Sequence, residues 1–122
     1  MNKISSMLEI KNDMSVSVQK IKFNLSSEYE KFLQSEGGAI GIIGNENYVN
    51  LYSCAEILEL NEDYAVQEFL PGYLLIGTIN DEALVLDQDL NYYIVPFIGM
   101  FKKNCIRIAD SLEGLLEYLL SN

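Results

Sequence analysis

The sequence contains no histidine, and its 122 residues include only two cysteines. The missing histidine excludes Ser-His-Asp and Cys-His catalysis and most transition-metal sites, because imidazole is the side chain normally poised near neutral pH. Any enzyme would have to work with carboxylates, lysine or tyrosine alone. We therefore expect a protein that is not an enzyme and that uses no cofactor or metal.

The two cysteines, Cys54 and Cys105, lie far apart and form no CxxC pair. With no histidine to complete a zinc site, we interpret them as buried, reduced thiols.

Long apolar runs are also missing, since none approaches the roughly 18 residues of a membrane span. The opening segment MNKISSMLEIKND is interrupted by polar residues where a signal peptide needs a continuous apolar stretch. These features predict a cytoplasmic protein that does not enter a membrane.

Positive charge is missing from the middle of the chain, where no Lys or Arg lies between Phe32 and Phe101. The formal net charge is −10, and the segments 1–31 and 102–122 are close to neutral. The acidic residues of the middle segment are Glu36, Glu46, Glu56, Glu59, Glu62, Asp63, Glu68, Asp81, Glu82, Asp87 and Asp89. Such a surface repels nucleic acid, which is bound by clustered Lys and Arg, and it attracts a basic protein. The alternative is that the charge only keeps the protein soluble.

Two motifs imitate ligand sites. Four glycines fall between Gly37 and Gly44, but they follow a helix pattern and precede a strand pattern, the reverse of a phosphate-binding loop. We interpret them as a helix stop. The segment DQDLNY imitates the start of a calcium loop, but Tyr92 stands where Gly is needed and Ile98 where a bidentate Glu belongs. A polar hairpin turn is the better interpretation.

Three stretches have the apolar spacing of helices that begin at a capping box. The residue pairs with capping-box spacing are Ser27 with Glu30, Ser53 with Glu56, and Asp110 with Glu113. The last stretch also carries a leucine stripe that must face a sheet, formed by Leu112, Leu115, Leu116, Leu119 and Leu120. Short helices are therefore predicted before the glycines, in the middle of the chain and at its end.

The remaining apolar stretches predict strands. Residues Ile40–Ile43 and Tyr48–Tyr52 flank the turn sequence GNEN and predict a hairpin. The stretches YLLIGTI, EALVLD and YYIVPFIG are separated by turn sequences and predict a meander. The N-terminal segment, residues 1–24, is ambiguous: the alternation of MSVSV predicts an entering strand, while a loose helix through MLEI is the alternative.

Adjacent strands with helices at the ends predict an α+β fold. We expect a single domain over residues 1–122, built on a mainly antiparallel sheet of five or six strands. Short helices should pack against this sheet, and the C-terminal helix should lie on it.

Three motifs occur in an order found in a known family. The first runs into a glycine stop and comprises Leu25, Tyr29, Phe32, Leu33, Gly37 and Gly38, with Ser26 in place of Pro and Glu36 in place of Asn. The second comprises Leu51, Ser53, Glu56 and Ile57. The third comprises Ala109, Asp110, Ser111, Leu112, Leu115 and Leu116. Over residues 25–120 the chain resembles the SUKH superfamily, which includes fungal cell-wall-assembly regulators and bacterial toxin-immunity proteins.

The resemblance implies an α+β domain without catalytic activity, often encoded beside a secreted toxin that it binds and neutralises. Together with the acidic middle segment, it predicts an immunity protein that contacts a basic toxin domain, such as a nuclease. The expected contact residues are Glu62, Asp63, Asp81, Glu82, Asp87, Asp89 and Tyr92, since an acidic surface with tyrosine suits protein binding. The second hypothesis is a regulatory scaffold domain without a toxin partner, and the third is a carboxylate-based enzyme or metal binder.

Overall fold

The computed structural model describes residues 2–122, which form a seven-stranded antiparallel sheet flanked by five α-helices. The strands follow one another across the sheet in chain order: β1 (Glu9–Ile10), β2 (Ala39–Ile43), β3 (Asn47–Leu51), β4 (Tyr73–Ile79), β5 (Glu82–Asp87), β6 (Tyr92–Val95) and β7 (Ile106–Ala109). The helices are α1 (Asn2–Met7), α2 (Ser27–Ser35), α3 (Cys54–Asp63), α4 (Val66–Phe69) and α5 (Leu112–Ser121). The predicted α+β class is confirmed, with seven strands where five or six were expected. Within the described residues, no helix is long and apolar enough to cross a membrane.

Helices cover both faces of the sheet, as two asparagines of β3 show. Asn47 and Asn50 are three residues apart, so their side chains project to opposite faces. The side-chain amide of Asn47 donates to the carbonyl oxygen of Leu119 in α5 at 3.0 Å. Asn50 accepts from Lys11 Nζ, which also pairs with Glu56 of α3 at 2.7 Å. We therefore name the two sides the α5 face and the α3 face.

The α5 face holds a closely packed apolar core. The strand register places Tyr92 of β6 on the same face of the sheet as Asn47. On that face the ring of Tyr92 packs edge-on against the ring of Tyr29 of α2, with 6.5 Å between the centroids. Phe32 of α2 lies 6.1 Å from the Tyr29 ring and is fully buried. The buried leucines of α5 are Leu112, Leu115, Leu116 and Leu119, which confirms four of the five leucines of the predicted stripe. The prediction is wrong for Leu120, which is 48% exposed at the end of the helix.

The helix N-termini are capped by serines, although not always by the predicted ones. The capping box of Ser53 and Glu56 is confirmed, with both reciprocal hydrogen bonds present. For α2 the predicted box is wrong, because Ser26 caps the helix and its hydroxyl accepts from the N–H of Tyr29 at 3.2 Å. For α5 the cap is Ser111, whose hydroxyl accepts from the N–H of Gly114 at 2.9 Å. In both wrong predictions the true cap is the neighbouring serine.

The glycines after α2 end the helix, as predicted, and they also receive the N-terminal segment. Gly37 and Gly38 have φ angles of +59° and +95°, in the left-handed region that favours glycine. Three consecutive N–H groups donate to carbonyls around this stop: Lys11 to Gly38 (3.0 Å), Asn12 to Glu36 (2.9 Å) and Asp13 to Gly37 (3.2 Å). A Cβ atom on Gly37 would lie 2.6 Å from the carbonyl oxygen of Asp13. Glycine is therefore required by close approach as well as by backbone angle.

The strand predicted from the MSVSV alternation is wrong, as residues 11–17 form no strand. The carboxylate of Asp13 accepts from the backbone N–H of Ser15 at 3.1 Å, which turns the chain. The side chain of Ser17 then caps a 3₁₀ turn at Val18–Lys20. Local serine and aspartate hydrogen bonds compete here with a sheet ladder.

The α3 and α4 helices complete the sheet where a strand partner is missing. β3 pairs with β4 only over Gly77–Ile79, so the first half of β4 has no strand on that side. Asn61 of α3 takes that place, accepting from the N–H of Leu75 at 2.9 Å and donating to its carbonyl at 2.8 Å. Gln67 of α4 donates to the carbonyl of Tyr73 at 2.6 Å. These bonds fix the helix pair that builds one wall of the candidate site.

Candidate protein-binding surface

The ends of α3 and α4 and the loop after β6 enclose an open groove of about 320 Å³. Its lining residues are Asp63, Tyr64, Phe69, Phe97, Gly99, Met100 and Phe101. Four of these seven residues are aromatic, and we call this feature the aromatic groove. Half-exposed aromatic side chains grouped in one concave site are typical of protein-binding surfaces.

A break between α3 and α4 positions the helical wall of the groove. Ala65 adopts a left-handed conformation with φ of +49°, which separates the two helices. Val66 and Leu70 are fully buried and anchor α4, which leaves Phe69 on the outside with 50% of its surface exposed. Tyr64 is 46% exposed, and its ring centroid lies 4.9 Å from that of Phe97. The two walls of the groove therefore touch through an aromatic pair.

The second wall is the loop that follows β6. The sequence predicted a strand through YYIVPFIG, but β6 ends at Val95, because the following Pro96 has no N–H to donate to a ladder. The carbonyl of Gly99 then accepts from the side-chain amide of Asn104 at 2.7 Å and from the N–H of Phe101 at 2.8 Å. These hydrogen bonds fix the loop, in which 47% of the surface of Phe101 and 94% of that of Ile98 are exposed. The groove was not predicted from the sequence. A signal was available, because the apolar stretch of the chain continues to Phe101, beyond the proline that ends β6.

The rim of the groove is charged unevenly. Asp63 lines it directly, and the exposed Glu62 and Glu68 precede the lining residues Asp63 and Phe69 in α3 and α4. Lys102 and Lys103, both exposed, follow Phe101 on the loop side. Of the predicted contact residues, Asp63 thus lines the groove, and Glu62 is its exposed neighbour on α3.

The other predicted acidic residues lie in two separate turns. Asp81 occupies the second place of a two-residue turn between β4 and β5, and its φ of +69° and that of Asn80 at +49° are both left-handed. Glu82 follows directly and begins β5, whereas Asp87 ends it. At about 3.3 Å per residue, the strand holds the two ends well apart. The acidic residues therefore do not form one cluster.

Asp87 has a structural role in the turn between β5 and β6. One carboxylate oxygen accepts from the N–H groups of Asp89 and Asn91, both at 2.9 Å, and the other accepts from the hydroxyl of Tyr93 at 2.8 Å. Partial burial disfavours the charged carboxylate, but the bonds from Asn91, Tyr93 and Asp89 outweigh it and hold the pKa of Asp87 below its usual value. Asp89, by contrast, is exposed at the tip of the same turn.

Tyr92 was wrongly placed on the contact surface. Only 1% of its side chain is exposed, and burial raises its pKa well above the usual value. The reason is strand alternation: Tyr92 and Tyr93 are adjacent and project to opposite faces, Tyr92 into the core of the α5 face and Tyr93 toward Tyr73 and Asp87.

The start of α3 carries a polar network. Lys11 Nζ lies 2.7 Å from Glu56 Oε1, and the hydroxyl of Ser53 donates to Asp13 Oδ2 at 2.9 Å. Burial disfavours the charged form of Glu56, but Lys11 and the N–H of Ser53 outweigh it, so the pKa of Glu56 lies below its usual value. The two carboxylates of this network, Asp13 and Glu56, both have a lowered pKa and hold the N-terminal segment to the fold.

No group of three or more Cys, Asp and Glu side chains among the described residues is arranged to hold a metal ion. Cys54 and Cys105 are both free thiols. The prediction that they are buried is confirmed for Cys54 and wrong for Cys105, which is half-buried in the segment before β7. Burial raises the pKa of both thiols, which disfavours the reactive thiolate.

The residues that carry the resemblance hold the fold and lie outside the aromatic groove: the cap and core positions of α2, the glycine stop and the capping box of α3. A comparison with curated proteins finds no match. The profile of the SMI1 / KNR4 family (SUKH-1) matches residues 17–118, from the first 3₁₀ turn into α5. The chain therefore belongs to the SMI1 / KNR4 family (SUKH-1), in agreement with the predicted relationship to the SUKH superfamily.

Proposed function

We propose that the protein is a non-catalytic immunity protein that binds and neutralises a cognate toxin domain in the bacterial cytoplasm. The observation that carries this proposal is the family match over residues 17–118, which spans nearly all of the sheet and its helices. Immunity proteins act by binding, so the function needs a surface and no catalytic machinery.

The acidic charge supports a basic partner, such as a nuclease domain. Among the predicted contact residues, Glu62, Asp63, Asp81 and Asp89 are exposed, and Glu82 is half-buried beside Asp81. A field of this sign accelerates the encounter with a positively charged protein. We propose that these acidic residues steer the toxin, whereas Asp87 contributes only by shaping the turn that carries Asp89.

The acidic residues whose pKa is shifted support the non-catalytic part of the proposal, because their roles are structural. A general acid or base needs a pKa tuned toward neutrality. The pKa values of Asp87, Glu56 and Asp13 are instead lowered, and each carboxylate is occupied by structural hydrogen bonds. Such groups stay ionised at neutral pH and have no proton to donate.

Co-expression tests the function directly. The toxin domain encoded beside this protein is expressed from an inducible promoter in a bacterium, with and without the protein. We expect growth only when the protein is present, and we expect the two proteins to co-purify. Death in both cultures, or rescue without a complex, would contradict neutralisation by binding, and stable binding to an unrelated cellular protein would favour the regulatory scaffold instead.

A further inference from the structure

The aromatic groove indicates what kind of partner segment the protein receives. We infer that the groove docks a segment of the partner protein in which an apolar side chain is flanked by Lys or Arg. This inference rests on the proposed protein-binding function and adds the location and chemistry of the contact.

The apolar part of the inference follows from the groove's lining. Tyr64, Phe69 and Phe101 are each about half exposed, and they surround a space of about 320 Å³ together with Phe97 and the buried Met100. Exposed aromatics gathered in one concave site lose far more surface to a partner than aromatics scattered singly. The space is of the size that receives an apolar anchor side chain with its neighbours.

The basic part follows from charge complementarity. Asp63 lines the groove, and Glu62 and Glu68 are exposed directly before the lining residues Asp63 and Phe69. No Lys or Arg occurs in the sequence from Phe32 to Phe101, so α3 and α4 carry no compensating positive charge. Lys102 and Lys103 are exposed directly after Phe101 on the loop wall, so their charge favours a basic segment whose Lys or Arg lie toward the helices.

The probe is a set of three hexapeptides added to ¹⁵N-labelled protein at low salt. The first has the sequence Lys-Arg-Leu-Phe-Arg-Lys, the second replaces all four basic residues by acidic ones, and the third replaces Leu-Phe by Ser-Ser. The first should shift the backbone amides of Tyr64, Phe69, Gly99 and Phe101 in a saturable way. The acidic peptide should shift none of them, and the Ser-Ser peptide should produce only weak, dispersed shifts due to charge.

Variants separate the two parts of the inference. Phe101→Ala should weaken binding of the first peptide by at least about fivefold. The double change Glu62→Gln with Asp63→Asn should weaken it by about threefold, and Lys102→Gln with Lys103→Gln should strengthen it by about twofold. The matched control for charge is Glu117→Gln, exposed on α5 at the opposite face, which should change the affinity by less than either double change.

Three results would overturn the inference. Equal binding of the basic and acidic peptides would mean a purely apolar site, shifts confined to other residues would mean another surface, and groove shifts that grow with protein concentration alone would mean that a second copy occupies the groove. The outcome is separable from that of the co-expression experiment. Rescue by the protein with no peptide binding removes only the docking site, whereas peptide binding without rescue removes only the immunity function.

Discussion

The α5 face of the sheet and the aromatic groove use the same residue types in opposite ways. On the α5 face, Tyr29, Phe32 and Tyr92 are buried and their rings contact one another. At the aromatic groove, Tyr64 and Phe101 remain half exposed. The first set stabilises the fold, and the second is available to a partner. Aromatic residues in this domain therefore differ in role according to the element that presents them.

The largest expected effect comes from removing one ring from each of these two regions. Phe32→Ala should lower the free energy of unfolding by about 3–5 kcal/mol, because it leaves a cavity in a fully packed core. Phe101→Ala should lower it by about 1 kcal/mol, since half of that side chain is already in water. Urea denaturation measures both, and equal losses would show that the groove residues are core residues.

The glycine stop after α2 gives the next largest effect. Gly37→Ala should destabilise by about 3 kcal/mol, because the new Cβ would meet the Asp13 backbone at 2.6 Å and the φ of +59° is unfavourable to alanine. Gly72→Ala is the matched control, with φ of +86° and no atom within 4 Å of the new Cβ, and it should cost about 1 kcal/mol. If thermal or urea unfolding shows no difference between them, the contact with the N-terminal segment does not constrain the fold.

Acidification should reveal which acidic residues hold structure. The pKa of Asp87 is lowered in the folded state, so its stabilising effect is present above the unfolded pKa of about 3.9 and is lost as the pH falls through the lower folded pKa. Asp87→Asn should therefore reduce the drop in melting temperature between neutral pH and about pH 3. Tyr93→Phe, which removes one of the hydrogen bonds and keeps the ring, should have a smaller effect of the same sign. An unchanged drop in both variants would contradict the structural role of Asp87.

The smallest effect should be kinetic and should concern the exposed turn acids. Neutralising Asp81→Asn with Glu82→Gln keeps a residue suited to the left-handed turn at position 81. The association rate with a basic toxin domain should fall by about two- to fivefold at low salt, with little change in the dissociation rate. Stopped-flow measurement at low and high salt checks this, and a rate that does not change at low salt would contradict steering by these acids.

Much of the fold was predictable because its signals are local. The hairpin, the meander, the α3 capping box and the leucine stripe of α5 each follow from residues within a few positions of one another, and each was found. β7 was missed because its alternating sequence IRIA is only four residues long, which is too short to establish a strand period. The N-terminal strand prediction was wrong because short-range hydrogen bonds to the side chains of Asp13 and Ser17 turn the chain where the alternation predicted a strand.

The candidate surface was less predictable, since it is assembled from distant parts of the chain. Tyr64 and Phe97 are 33 positions apart and come together only through the packing of α3 against the loop after β6. Composition located the acidic segment but could not show that Asp81 and Asp87 lie at opposite ends of one strand. Nor could it distinguish Tyr92 from Tyr93, because the face of a strand residue depends on register.

Affinity for the cognate toxin domain tests the central claim most directly. The double variant Tyr64→Ala with Phe101→Ala removes two groove rings, and Tyr48→Ala removes a ring of similar exposure from β3, outside the groove. Calorimetric titration should show about 100-fold weaker binding for the double variant and a change within about twofold for Tyr48→Ala. Wild-type affinity in the double variant, with the fold intact, would contradict the assignment of the aromatic groove as the surface that binds the toxin.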